Sequence, residues 1–264
     1  MGLLVSAILT FFLASAGLAQ SNGHVAVKLP FPAGETLTYE AKIRRILPTI
    51  AVADLIFTVR DVNDKGEITL TAEARSKGTL LKMFRYSFLQ QVESQVAPQF
   101  HVMRTVKHDV QKDRVRDSIA AFDYEAKRVT YRETDPNEPL KAPRMIASEL
   151  IEPTQDLLAG LYRLRTMALE PGKAIMLSVS DSGLVYKIPV RVIRREVQKT
   201  VLGRIQCIRV EPEVFGPGRL IEREGSMTIW FTADRRLIPV RSVANTPYGR
   251  IDIRLKSTAN LAPQ

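Results

Sequence analysis

Three histidines, one cysteine and a scatter of carboxylates are the residues that could carry chemistry in this 264-residue chain. The histidines are His24, His101 and His108. His101 and His108 lie an odd number of positions apart, so on one straight strand they face opposite ways. Neither cysteine nor carboxylate stands at ligand spacing around them. They read as surface or strand-edge histidines, with no metal and no cofactor implied. Cys207 sits between Gln206 and Ile208 in a strand-like pattern. A reactive thiol needs a neighbouring base and an accessible, electropositive setting. Nothing local offers a base, so a buried apolar cysteine is expected. As the single cysteine it forms no intrachain disulfide. No Gly-x-Ser-x-Gly elbow, phosphate loop or Gly-x-Gly-x-x-Gly occurs.

Carboxylates need a closer look, because glycan hydrolysis requires only two. Asp54 stands among Val52, Ala53, Leu55 and Ile56. Either it points outward while its neighbours pack, or it is buried with a raised pKa. Asp109, Asp113 and Asp117 interleave with Lys107, Lys112, Arg114 and Arg116, which suggests a solvated, charge-balanced hairpin. Three arginine pairs, Arg44-Arg45, Arg194-Arg195 and Arg235-Arg236, are spread along the chain. A solvated face is the default for each. A shared anion-binding mouth would require the fold to bring them together.

The elements that must position these residues are mostly strands. Leu37, Tyr39, Ala41 and Ile43 alternate with polar residues, as in a half-buried strand. Ile50 to Val62 and Ile68 to Ala74 flank Asn63-Asp64-Lys65-Gly66, a hairpin turn signal. Thr79 to Val96 is ambiguous, with a strand expected from Phe84 to Val96. Further strands are expected at 100–110, 118–124, 129–133, 175–179, 184–192, 205–210, 226–232, 237–244 and 249–257. Asp135 to Pro139 reads as a loop. One helix stands out, with Pro153 and Asp156 in its first turn. Leu157, Leu158, Leu161, Tyr162, Leu164 and Met167 then make a wide apolar stripe. The sum is about a dozen strands and one central α-helix. The expected fold is mostly β, a single large, strongly curved antiparallel sheet or open β-barrel.

The N-terminus speaks to compartment. Leu3 to Ala16 is almost unbroken apolar sequence, too short to span a bilayer comfortably. Small residues follow, and cleavage is expected between Ala19 and Gln20. No Lys or Arg precedes the run; the alternatives are a buried N-terminal helix or an uncleaved anchor. The expected organisation is a signal peptide at 1–19, a flexible lead-in at 20–33, one β-rich domain at 34–258 and a tail at 259–264. No transmembrane segment remains after cleavage. The leader carries no charged side chain, so the exported chain keeps the full net charge of +10. Basicity favours anionic partners. In the periplasm these are envelope lipids, glycolipids or proteins rather than nucleic acid.

Several segments together resemble a known family. They are Pro32-Ala33-Gly34-Glu35-x-Leu37-x-Tyr39, then Asp156-Leu157-Leu158 with Leu161-Tyr162-x-Leu164-Arg165. Gly203 precedes the strand of Cys207, Arg209 and Pro212. Met227-x-Ile229-Trp230-Phe231-x-x-Asp234-x-Arg236-x-x-Pro239-Val240 and Gly249-x-Ile251-x-x-x-Leu255 follow. In this order they resemble the exported bacterial family called domain of unknown function 3108. The resemblance implies a periplasmic β protein of undefined activity and supplies no catalytic residues. Structural roles account for the motif residues. Gly34 and Gly203 suit turns, Tyr39 and Trp230 core anchors, Asp234 a hairpin turn and Pro239 an edge strand. The expectation is a non-enzymatic binding protein for an apolar or amphipathic envelope ligand or partner protein. The alternatives are a structural or adaptor protein of the envelope, and a hydrolase using carboxylates such as Asp54 or Asp109.

Overall fold

The computed structural model describes residues 29–44, 49–150 and 152–263. The leader, the Ala19-Gln20 junction, His24 and Arg45 lie outside the described residues. The described chain forms fourteen strands and two helices. The first eight strands are β1 (Thr36–Arg44), β2 (Ile50–Val62), β3 (Ile68–Ser76), β4 (Phe88–Val96), β5 (Val102–Gln111), β6 (Arg114–Asp123), β7 (Arg128–Thr134) and β8 (Arg144–Glu149). The last six are β9 (Ala174–Asp181), β10 (Leu184–Thr200), β11 (Gly203–Pro212), β12 (Ser226–Thr232), β13 (Pro239–Thr246) and β14 (Gly249–Ala259). Helix α1 (Gly78–Phe84) links β3 to β4, and α2 (Leu157–Arg165) links β8 to β9.

All strands belong to one sheet in the order β8-β7-β6-β5-β4-β3-β2-β1-β14-β13-β12-β11-β10-β9. Every neighbouring pair is antiparallel. Period-two patterning places Leu37, Tyr39 and Ala41 of β1 and Leu70, Ala72 and Ala74 of β3 on the buried face. The same face of β14 buries Ile251, Ile253 and Leu255. These side chains enclose α2, whose residues are buried on all sides except at Arg163. A helix apolar all round is stable only when it is surrounded.

The two ends of the sheet, β8 and β9, are not hydrogen-bonded to each other. The segment before α2 stitches part of this seam. Gln155 pairs in parallel with Val179: its N–H donates to Ser178 O (3.0 Å) and its carbonyl accepts from Ser180 N (2.7 Å). On its other side Thr154 O accepts from Val102 N (3.1 Å) and from the Tyr124 hydroxyl (3.1 Å). The turn between β9 and β10 packs against β7 and β8. A Cβ on Gly183 would stand 2.5 Å from Tyr131 Cβ, so only glycine fits there.

Four sequence expectations are corrected. Residues 78–84 are helical, and the strand begins at Phe88 instead of Phe84, so the helical spacing of Leu80 and Phe84 prevailed. β8 was not anticipated, because most of Arg144–Glu149 faces solvent and its alternation is weak. Helix α2 begins after Asp156, which caps it from outside. Pro239 is not on an edge: β13 lies between β12 and β14, and Pro239 is accommodated at the strand start beside a register shift. The last residues of the expected lead-in are also packed. Phe31 is buried, with its ring edge-on to Tyr162 at 5.0 Å.

Candidate functional site

Seven of the family-type residues meet at one end of α2. Arg165 is fully buried and its guanidinium makes a two-pronged ion pair with Glu35, which is equally buried. Its Nε donates to Arg236 O at 3.1 Å. The rings of Phe31 and Tyr162 lie 4.8 and 5.2 Å from the guanidinium carbon. Tyr39 donates its hydroxyl to Pro239 O at 2.7 Å. Burial, then the Tyr162 hydroxyl beside it, pushes the Tyr39 phenol well above its ordinary pKa. Asp234 holds the turn between β12 and β13, accepting from Thr232 and from Arg236. Burial raises the Asp234 carboxyl, but Arg236 and Thr232 together outweigh it and keep the group below its usual range. This cluster ties α2, β1 and the β12–β13 turn together, and its centre has no access to solvent.

The remaining motif residues lie elsewhere. Gly34 sits in a turn and Gly203 at the start of β11, both at positive φ. Trp230 faces the outer side of the sheet between Arg209 and Arg241, with its indole N–H donating to Glu196 at 2.5 Å. It is buried among the core residues, and charged side chains cover it on that side. Asp156 is at the opposite end of α2 from Arg165. One oxygen caps Ala159 N (2.8 Å) and the other accepts from Thr105 at 2.5 Å.

Asp156 also lines a cleft between α2 and the inner face of β4 to β7. Its floor is apolar, made by Phe57, Ala72, Val92, Phe122, Leu157 and Leu161. Its wall is polar, with Thr105, Lys107, Ser118, Tyr131, Ser180 and Asp181. Strand register explains this. On β4 the buried set includes Phe88, Val92 and Val96, so the intervening Gln90 and Ser94 must face inward too. Gln90, Val92 and Ser94 pair with Asp109, Lys107 and Thr105 of β5, which share that face. Lys107 pairs in turn with Ser118 of β6.

Many of these inward groups lack partners. Gln90 Oε1, Ser94 Oγ, Asp109 Oδ1 and Ser180 Oγ are buried with no hydrogen bond among the described residues. Buried polar atoms are nearly always satisfied, by water or ligand where not by protein. Lys107 Nζ stands 3.4 Å from Asp181. Burial disfavours its ammonium, but Asp181, Tyr131 and Asp109 outweigh this and raise its pKa. Lys107 is thus a fixed cation, unsuited to act as a base at neutral pH. Burial raises the pKa of Asp109, and Lys107 only partly opposes it. The cleft offers about 50 Å³, room for a few waters.

The other chemical candidates are dispersed. Asp54 is on the outer face, half-exposed and 3.0 Å from Lys77, which removes the buried alternative. Asp54 and Asp109 therefore lie on opposite faces of the sheet. Asp113 is exposed in the β5–β6 turn, and Asp117 bonds His108 at 2.5 Å on the outer face. His101 stacks edge-on against Tyr124, and burial lowers its pKa. Cys207 is buried, and burial pushes its thiol up to about 11, far from a reactive thiolate. Arg195 and Arg235 do reach one groove beside the end of α2, but Arg235 is held by Pro263 O and Arg44 lies at the far end of β1. No group of three potential metal ligands occurs among the described residues. No helix among them is long and apolar enough to cross a membrane.

The architecture has solved counterparts. A β-barrel-like protein of domain of unknown function DUF1849 from Brucella abortus superposes with a TM-score of 0.61. It is 12% identical, over 90% of this chain and 100% of that one. A protein from Bacteroides fragilis described as exported, with a YmcC-like fold, gives a TM-score of 0.39 at 11% identity, over 89% and 99%. A hypothetical protein from Chlamydia trachomatis gives 0.34 at 8% identity, over 88% and 90%. The first of these shares the fold. Among curated proteins none matches the sequence. The model of the protein family of unknown function DUF3108 matches residues 38–256, most of the chain and nearly all of the sheet, and the chain belongs to that family.

Proposed function

We propose that this chain is an exported, non-enzymatic periplasmic protein that binds the polar end of a small amphipathic envelope molecule in the cleft between α2 and β4 to β7. One observation carries the reading: Ser180 keeps an unsatisfied buried oxygen in the cleft beside its apolar floor, and Gln90, Ser94 and Asp109 keep others on the same inward face of β4 and β5. Lys107, paired with Asp181, adds an ammonium donor, which suits a ligand with a strongly accepting polar end. The N-terminal apolar run supports export. The size of the space limits what enters. A lipid chain does not fit in about 50 Å³, so the occupant is a head group or chain end unless α2 or the β9–β10 turn shifts. Separation of Asp54 and Asp109 across the sheet removes the carboxylate pair that would favour a hydrolase.

Native mass spectrometry on protein purified from its own periplasm, followed by denaturing extraction, tests this. The wild type should carry a near-stoichiometric adduct. Ala120→Leu, which fills the cleft from β6, should lose it while melting within a few degrees of wild type. A bare wild-type mass would overturn the cleft reading. The adaptor reading would then lead, on the exposed pair Ile119 and Met145, which lie in one cross-strand row through Arg132 on the outer face.

A further inference from the structure

Strand β10 is the longest in the sheet, and its far half has no neighbour on one side. β9 pairs with it only through Arg191, with a last bond at Val192. β12 pairs with β11 only from Cys207 onward. Residues 197–206 therefore form a two-stranded arm, in which Lys199 pairs with Arg204 and Val197 with Gln206 at its base. One side of the arm turns to the sheet, where Glu196 meets Trp230 and Gln198 meets Arg241. The other side is open. It carries Val197, Lys199 and Arg204, with Arg195 just before the base and Val201 at the tip. Val197 and Val201 are about half exposed, at 49% and 53%.

The charge on this side is uncompensated. Arg195, Lys199 and Arg204 have no carboxylate within 4 Å among the described residues. The acid at the arm's base, Glu196, is occupied by Arg194 (2.7 Å) and Trp230. Beside the tip lies an open groove of about 450 Å³ lined by Lys199, Val201, Arg241, Arg254 and Lys256. Asp252 is shared by both of those arginines, and Lys256 reaches Glu40 only at 3.8 Å. Exposed valines flanked by free cations match an anionic bilayer surface, where apolar groups enter the interface and cations meet phosphates. An acidic protein would satisfy the cations but would leave Val201 at a protruding tip without a pocket.

We infer that the β10–β11 arm docks the protein on an anionic lipid surface. This contact is separate from the cleft, does not need it occupied, and can fail independently of it. Sedimentation of the chain from Gln20 to Gln264 with vesicles reads it. Vesicles of phosphatidylcholine are compared with vesicles containing phosphatidylglycerol. Binding should appear only with the anionic lipid and weaken as salt rises. Lys199→Gln with Arg204→Gln should weaken it about twenty-five-fold, each cation at an anionic surface being worth roughly five-fold. Neither side chain has a partner to lose, so circular dichroism and melting should not change. Lys65→Gln with Arg132→Gln removes the same charge elsewhere and should alter binding less than about two-fold. The inference fails if the wild type ignores lipid charge, or if the arm variant binds as tightly as its charge-matched control.

Discussion

Arg165 is the residue on which the interior depends most. Its guanidinium is removed from water, so removal of either partner leaves a buried, uncompensated charge. Such a break costs about 3–5 kcal/mol, while replacing both partners with apolar residues of similar size is often close to neutral. Arg165→Met alone and Glu35→Gln alone should each lower the urea midpoint steeply. Glu35→Leu combined with Arg165→Met should recover most of the loss. A single variant that unfolds at the wild-type midpoint would show that water reaches the pair. The family resemblance pointed to Arg165, Tyr162 and Tyr39, but sequence alone could not show that they share one cluster. Glu35 and Arg165 are far apart in the chain, and only the β1–β14 and β12–β13 pairings bring their surroundings together.

At the scale of elements, α2 is a plug held at both ends, by Arg165 at one and by Asp156 at the other. Loss of an acidic N-cap costs about 1 kcal/mol. Asp156→Ala should therefore lower the melting temperature by about 2–4 °C for a chain of this size. Asp156→Ser, which still caps, should recover most of it. If serine does not recover it, the bond from Thr105 is the larger contribution. Strands were legible wherever one face is apolar, as in β1, β3 and β14. They were least legible where both faces carry polar groups. β8 was missed for this reason, and so was the cleft. Lys107 reads as part of a solvated hairpin until register turns it inward, together with Thr105 and Ser118. A usable signal was present on β4. Phe88, Val92 and Val96 fix the parity of that strand, and the same parity forces Gln90 and Ser94 inside.

At the scale of the molecule, the order of strands ties the chain ends to one another. β1 to β8 form one run in sequence order and β9 to β14 another, and the two runs join where β1 pairs with β14. The last strand is thus central to the sheet. It supplies Ile251, Ile253 and Leu255 to the interior, each 4% exposed or less. Burial of three such side chains contributes roughly 6 kcal/mol, comparable with the whole stability of an ordinary domain. Deleting β14 would also open two strand edges, on β1 and β13, which invite pairing between molecules. Truncation after Thr246 should therefore abolish the cooperative urea transition and give aggregated or protease-sensitive protein. Truncation after Asn260 should cost far less, because Leu261 to Pro263 add few contacts beyond the Arg235 bonds to Pro263. Limited proteolysis with circular dichroism distinguishes the two. A folded, protease-resistant chain ending at Thr246 would mean that the two runs of strands are independent units, each able to close its own interior. The join at β1 and β14 makes the opposite case, since neither run can cover α2 alone.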